Sequence, residues 1–150
     1  METMLDPIPV IVVTGPVGAG KSTVAEAMSS LLEERGIVHA TIDQDFLRVV
    51  RPTPPGDPFG AELGYRNLAT IWPNLLEAGI RCATIADVVE NRAQSLAAYA
   101  QAMPGASITI VRLEVPMDLI QERLAIRERT PHDVAEEILR RCGQFPSPAN

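Results

Sequence analysis

Aromatic residues are scarce: Phe, Tyr and Trp make up 4% of the 150 residues, so the core must be mostly Val, Ile, Leu and Ala. Cysteine is scarcer still. Cys82 and Cys142 are too few and too far apart for a disulfide framework or a cysteine-type zinc site, and a reduced, cytoplasmic compartment suits them. A positive surplus is also lacking: 13 basic residues against 19 acidic ones leave a net charge of −6. That balance argues against nucleic acid or an anionic membrane as the main partner, because both need a cationic face. No apolar run approaches the ~20 residues that span a bilayer. The first seven residues carry Glu2 and Asp6 where a leader would be basic, so no signal peptide is expected. Lysine is the sharpest shortage. Lys21 is the only one, and every other strong base is Arg.

What is present is an ordinary globular composition, 46% hydrophobic and 21% charged. At this length the chain reads as one domain over residues 1–143 with a Pro-rich tail at 144–150, hiding roughly 70% of its unfolded surface on folding. Short apolar runs at 8–13, 37–42, 81–89 and 107–115 read as buried strands. Helical spacing marks 22–35, 61–78 (with a kink at Pro73), 91–103 and 117–129, and a short helix at 46–50. Thr130-Pro131 then reads as an N-cap and first turn of a further helix. Pro52, Pro54, Pro55 and Pro58 make the segment between them a stiff surface loop. Strands alternating with helices imply an α/β fold: a parallel sheet of about four strands with helices on both faces, in three layers.

The lone lysine sits in Gly15-Pro16-Val17-Gly18-Ala19-Gly20-Lys21-Ser22, the phosphate-loop pattern G-x-x-x-x-G-K-[ST], with Thr23 following. Glycines let the backbone curl so that its N–H groups converge on one concavity, and the helix behind adds its positive end. Lys21 then reaches the outer phosphates of a nucleoside triphosphate and the Ser22 hydroxyl can ligate Mg²⁺. A random chain of this length shows the pattern roughly once in two hundred cases. Here it also has the strand before it and the amphipathic helix after it that the mechanism requires.

Asp43 and Asp45 fall where the second strand ends, the edge beyond which ligands collect in an open parallel sheet. A carboxylate there can accept the proton of an attacking hydroxyl, or simply cap a helix. Asp87, Glu90 and Arg92 lie at the end of the third strand, where Asp87 is a second Mg²⁺ carboxylate or, with equal weight, part of turn and helix-start chemistry. Arg123 and Arg127 lie four apart on one helix, where like charges repel unless an anion, or Glu122, Glu128 and Asp118, offsets them. Arg66 and Tyr65 follow the Pro-rich loop as substrate contacts. His39 reads as packed or exposed, not catalytic. Asp57-Pro58-Phe59-Gly60 imitates a GTPase D-x-x-G, but a GTPase also needs Asn-Lys-x-Asp for guanine, and a chain with Lys21 alone cannot supply it.

The phosphate loop, Asp45-x-x-Arg48 and the later Arg-x-x-x-Arg helix resemble the P-loop small-molecule kinases, in particular the polynucleotide 5′-kinase, adenylylsulfate kinase and chloramphenicol phosphotransferase groups. The resemblance spans roughly residues 8 to 142. It implies the P-loop NTPase fold, Mg-ATP as phosphoryl donor and a small-molecule hydroxyl as acceptor. It further implies Asp45 as general base, Arg48 as a substrate or phosphate clamp, and Arg123 and Arg127 on a lid over the transferred phosphate. One departure stands out. Such kinases have a fifth strand, and nothing after Val115 reads as one, so the fourth strand is expected to be an open edge with a route to a homodimer. A nucleotide-binding regulatory or vestigial module without transferase activity is therefore the alternative.

Overall fold

The computed structural model describes residues 5–16, 19–114 and 130–142. Strands β1 (Ile8–Thr14), β2 (His39–Asp43), β3 (Cys82–Ala86) and β4 (Ala106–Arg112) form one sheet in the order β2-β3-β1-β4, every pairing parallel. Helices α1 (Lys21–Glu34), α2 (Ala61–Glu77), α3 (Arg92–Ala102) and α4 (Pro131–Cys142) cover it. The side chains of β1 alternate between the two faces, as strand geometry demands. Val10 and Val12 join Leu68 and Trp72 of α2 and Tyr99 of α3, while Ile11 and Val13 join Met28 and Leu32 of α1 and Leu139 of α4. Each such aliphatic side chain, once fully buried, contributes about 1.5–3 kcal/mol. The three layers expected from the alternation of elements are therefore present, with β1 in the interior of the sheet.

Differences from the expected boundaries have local causes. The third strand stops at Ala86, not 89: the Asp87 N–H still donates to the Val13 carbonyl at 3.1 Å in the pattern of the β1 ladder, but the Val89 N–H turns to a side chain, Thr14 Oγ1, at 2.9 Å. Past Asp87 the chain is held to the end of β1 by that side chain and no longer by a backbone ladder. The expected short helix at 46–50 is a 3₁₀ turn, Gln44–Arg48, begun earlier because Asp43 Oδ1 accepts the Asp45 N–H at 3.0 Å. Pro73 lies inside α2, which runs on past it to Glu77. Thr130 does cap α4: its Oγ1 accepts the Asp133 N–H at 3.2 Å, and Asp133 Oδ2 accepts the Thr130 N–H at 3.0 Å. The helix expected at 117–129 lies outside the described residues. Among those residues β4 pairs with β1 alone, and no helix is long and apolar enough to cross a membrane.

Candidate nucleotide and acceptor site

The register places four strand ends in one row. Asp43 of β2 faces Ala86 of β3, which faces Val13 of β1, which faces Val111 of β4. Everything that follows these residues in the chain therefore emerges along the same edge of the sheet.

From β1 emerges the phosphate loop. Gly15 lies so close to β4 that a Cβ there would sit 3.0 Å from the Leu113 carbonyl oxygen and 3.2 Å from the Leu113 Cβ. The Ala19 N–H closes a turn on the Pro16 carbonyl at 3.0 Å. Gly20 takes φ +86°, a left-handed conformation that suits glycine, and starts α1. That helix has no side-chain cap and no acidic residue in its first turn, so its positive end is left for an anion. Lys21 Nζ donates to the Gly15 carbonyl at 3.2 Å, bringing the ammonium back over the loop, and Ser22 and Thr23 are exposed beside it. Val17 and Gly18 lie outside the described residues, as do Arg123 and Arg127.

From β2 and β3 emerges a charged cluster. Arg48 Nε donates to Asp45 Oδ1 at 3.1 Å, and Nη2 of the same guanidinium reaches both Asp45 Oδ1 and Asp87 Oδ1, the latter at 3.1 Å. Asp87 is 4% exposed. Its Oδ1 also accepts the Val88 N–H at 2.8 Å, and its Oδ2 accepts the Tyr99 hydroxyl. Burial pushes the Asp87 carboxyl above the usual range, against the opposing pull of Tyr99, Arg48 and Val88. Burial works against the Arg48 charge too, but Asp45 and Asp87 outweigh it and hold the guanidinium protonated. The two aspartates differ in their contacts: Asp43, the last residue of β2, caps the 3₁₀ turn, and Asp45 stays largely exposed against Arg48. Asp87, expected to face Mg²⁺, has both oxygens engaged by Tyr99, Val88 and Arg48.

The remaining residues singled out from sequence are dispersed. Arg66 is exposed on α2, whereas its neighbour Tyr65 packs edge to face on Tyr99 with ring centroids 5.0 Å apart. Glu90 and Arg92 are exposed at the start of α3, capped there by Asn91, whose Oδ1 accepts the Gln94 N–H at 3.0 Å. Asp57, of the GTPase-like tetrad, caps α2 by accepting the Glu62 and Leu63 N–H groups at 3.3 and 3.1 Å. His39 is structural: its Nδ1 donates to the Ile37 carbonyl at 2.8 Å, which leaves Nε2 to accept from Ser29 Oγ at 2.6 Å. A hollow of about 650 Å³ between the end of α1 and α4 is lined by Arg35, Arg140 and three acids, and lies one whole helix away from the loop.

Two residues escaped the sequence reading. Tyr99 is one; the signal for it is the single aromatic side chain of an Ala-rich helix. Gln44 is the other, 2% exposed beneath Gly64, and its position in the motif Asp43-Gln44-Asp45 gave no hint of burial.

A family model for the AAA domain matches residues 10–145. The chain belongs to that family. Among solved structures this AAA domain is similar to the Mycobacterium tuberculosis APS kinase in complex with AMPPNP and APS, at 18% identity over 93% of this chain and 100% of that one, with a TM-score of 0.60. It is similar to the Deinococcus radiodurans tunicamycin resistance protein at 17% identity, over 94% and 99% of the two chains, with a TM-score of 0.58. It also matches a chain of the Pnkp1/Rnl/Hen1 complex at 15% identity and a TM-score of 0.52, covering 87% of its own length and 43% of that chain. No curated protein matches it in sequence. These superpositions show a shared fold and no more: the P-loop NTPase kinase fold, with its four-stranded parallel sheet between helices.

Proposed function

We propose that this AAA domain is a kinase that transfers the γ-phosphoryl group of Mg-ATP to a hydroxyl of a small molecule. The observation that carries the proposal is the single row of strand ends, which sets the phosphate loop beside the Asp45–Arg48–Asp87 cluster. Donor and acceptor chemistry then share one edge of the sheet, with an exposed carboxylate where an acceptor would arrive. A structure of the same fold, the APS kinase, holds an ATP analogue together with APS, which supports the reading.

In this account the loop from Gly15 to Thr23 and the α1 terminus cradle the β- and γ-phosphates, and Lys21 swings from the Gly15 carbonyl onto them. Ser22 would hold Mg²⁺, which needs few protein ligands when phosphates and water supply the rest, and which neutralises phosphate charge when bound. Asp45 accepts the acceptor's hydroxyl proton as that oxygen bonds to the γ-phosphorus and the bond to the β-phosphate bridging oxygen breaks, releasing ADP. Arg48 clamps the acceptor or its new phosphate, with Asp43, Arg66, Glu90 and Arg92 around it, and Arg123 and Arg127 close over the transferred group. A net charge of −6 weighs against a nucleic-acid 5′-hydroxyl as acceptor.

The second account, a nucleotide-binding module without transfer, draws on β4, which among the described residues has a partner strand on one side only. Calorimetry with ATP followed by labelled phosphate transfer to a metabolite library separates the two. The kinase reading expects ATP binding and at least one phosphorylated hydroxyl. ATP binding with no labelled product across the library would leave the module.

A further inference from the structure

We propose that Tyr99 is a positioning residue for the Asp45–Arg48 pair, acting through the buried carboxylate of Asp87. The proposal rests on the reading of Asp45 as general base and extends it to a residue 54 positions away, on another element.

Four separate elements converge on this point. Tyr99 comes from α3, Asp87 from the end of β3, Arg48 and Asp45 from the turn after β2, and Tyr65 of α2 fixes the Tyr99 ring edge to face. The hydrogen bonds run in series: Tyr99 hydroxyl to Asp87 Oδ2, then Arg48 Nη2 to Asp87 Oδ1 at 3.1 Å, then Arg48 Nε to Asp45 Oδ1 at 3.1 Å. Exposure rises outward along the series. Tyr99 is 0% exposed, and the side chains of Asp87, Arg48 and Asp45 are 3%, 19% and 64% exposed. A rigid root therefore carries an accessible tip.

Packing alone explains a ring at position 99 but not its hydroxyl, which a Phe would lack at no cost in shape. The hydroxyl has one evident task. A carboxylate buried this deeply needs a donor on each oxygen. Val88 and Arg48 serve Oδ1, and Tyr99 serves Oδ2. Burial and the adjacent Asp87 both push the Tyr99 hydroxyl upward, so it keeps its proton and only donates. Without that bond Oδ2 is left unsatisfied. The carboxyl then turns or takes up a proton, and Asp87 loses its hold on Arg48. Arg48 is a long side chain on a five-residue turn, with Asp87 as its inward anchor. Released from it, the guanidinium loses its inward hold and swings toward solvent, loosening the Nε–H bond that orients Asp45 and misplacing the clamp.

Tyr99→Phe tests this by removing one oxygen atom. The first readout needs no acceptor: the Arg48 Nε–H signal in ¹H–¹⁵N spectra, assigned by its loss in Arg48→Lys. We expect its exchange with solvent to quicken at least tenfold in Tyr99→Phe. The second is ATP hydrolysis, water standing in for the acceptor hydroxyl: kcat is expected to fall at least tenfold with KM for ATP changed less than twofold. Tyr99→Phe combined with Asp45→Asn should then be no slower than Asp45→Asn alone. If Tyr99→Phe is merely less stable, with the Arg48 signal and kcat unchanged, the hydroxyl is structural and the proposal is overturned. Should that variant not fold, Asp87→Asn replaces it, with quickened Arg48 exchange expected and unchanged exchange fatal to the idea. A wild type that binds ATP without turning it over would remove the kinase reading alone, since the Arg48 signal still decides the positioning.

Discussion

Lys21 Nζ donates to the carbonyl oxygen of Gly15, six residues back and 3.2 Å away across the phosphate loop. The only lysine of the chain thus spans the loop it belongs to, and it has no packing duty in either core cluster. Lys21→Ala is expected to leave the thermal midpoint within a few degrees of wild type while lowering ATP affinity by one to two decades or more, the worth of a charge-assisted bond of about 1.5–3 kcal/mol. Lys21→Arg should fail nearly as badly, because a planar fork cannot replace a compact ammonium on the phosphates. Equal calorimetric affinity for ATP in wild type and Lys21→Ala would sink the phosphate-loop assignment.

Gly60 bears on the same cluster from the other side. Its φ is +66°, and a Cβ there would stand 2.6 Å from the Arg48 carbonyl oxygen, so the backbone of the 3₁₀ turn would have to move. Gly60→Ala is expected to cost about 1–3 kcal/mol in urea unfolding, from the left-handed conformation together with the clash. Asp57→Ala, which removes the α2 cap but leaves Arg48 alone, should cost only about 1 kcal/mol. A Gly60→Ala variant as stable as wild type would show that the turn gives way freely.

The contrast between the two halves of the site shows what a sequence discloses. The phosphate loop is legible because its requirements are local: a strand, glycines for the curl, a cation and a hydroxyl at the helix start, all within residues 8–23. Asp45 and Arg48 are legible for the same reason, three residues apart. The partner that anchors Arg48 is 39 residues away, and the hydroxyl that anchors that partner is a further 12. No periodicity links them, since the sheet order β2-β3-β1-β4 is what brings them together. Asp43 and Asp45 show the remaining ambiguity. Both stand at the end of one strand, and only the backbone of the 3₁₀ turn decides that the first caps and the second faces Arg48.

The two cysteines should separate cleanly in reactivity. Cys82 opens β3, is wholly buried beneath α1, and burial pushes its thiol up to about 11. Cys142 at the end of α4 is half-buried, its thiol also raised by burial. With Ellman's reagent at pH 8 one thiol per native chain is expected to react, at Cys142, while Cys82 reacts only as fast as the protein unfolds. Equal rates for both thiols in the native protein would mean that the sheet opens locally at β3.

Asp87 gives a signature in the pH dependence of stability. Burial raises its carboxyl, Asp45 adds to the rise, and Tyr99, Arg48 and Val88 oppose it without cancelling it. The folded chain therefore keeps this proton to higher pH than the unfolded chain, whose aspartate ionises near pH 4, about the ordinary value. Well below that pH both states are protonated and the group is neutral in the balance. As pH rises through the ordinary value and on through the raised folded one, the unfolded state ionises first and stability falls. Above the folded value the loss is complete and constant. Asp87→Asn removes this group from the balance, so wild-type stability minus that of Asp87→Asn should decline from about pH 4 upward and then level off. Arg48→Met strips away a charge that favours the carboxylate, so it should deepen the decline and carry it to higher pH. Urea unfolding of the three proteins across pH checks both. A difference that grows with pH would mean that Arg48 and Tyr99 outweigh burial, and that Asp87 is held ionised below its ordinary range.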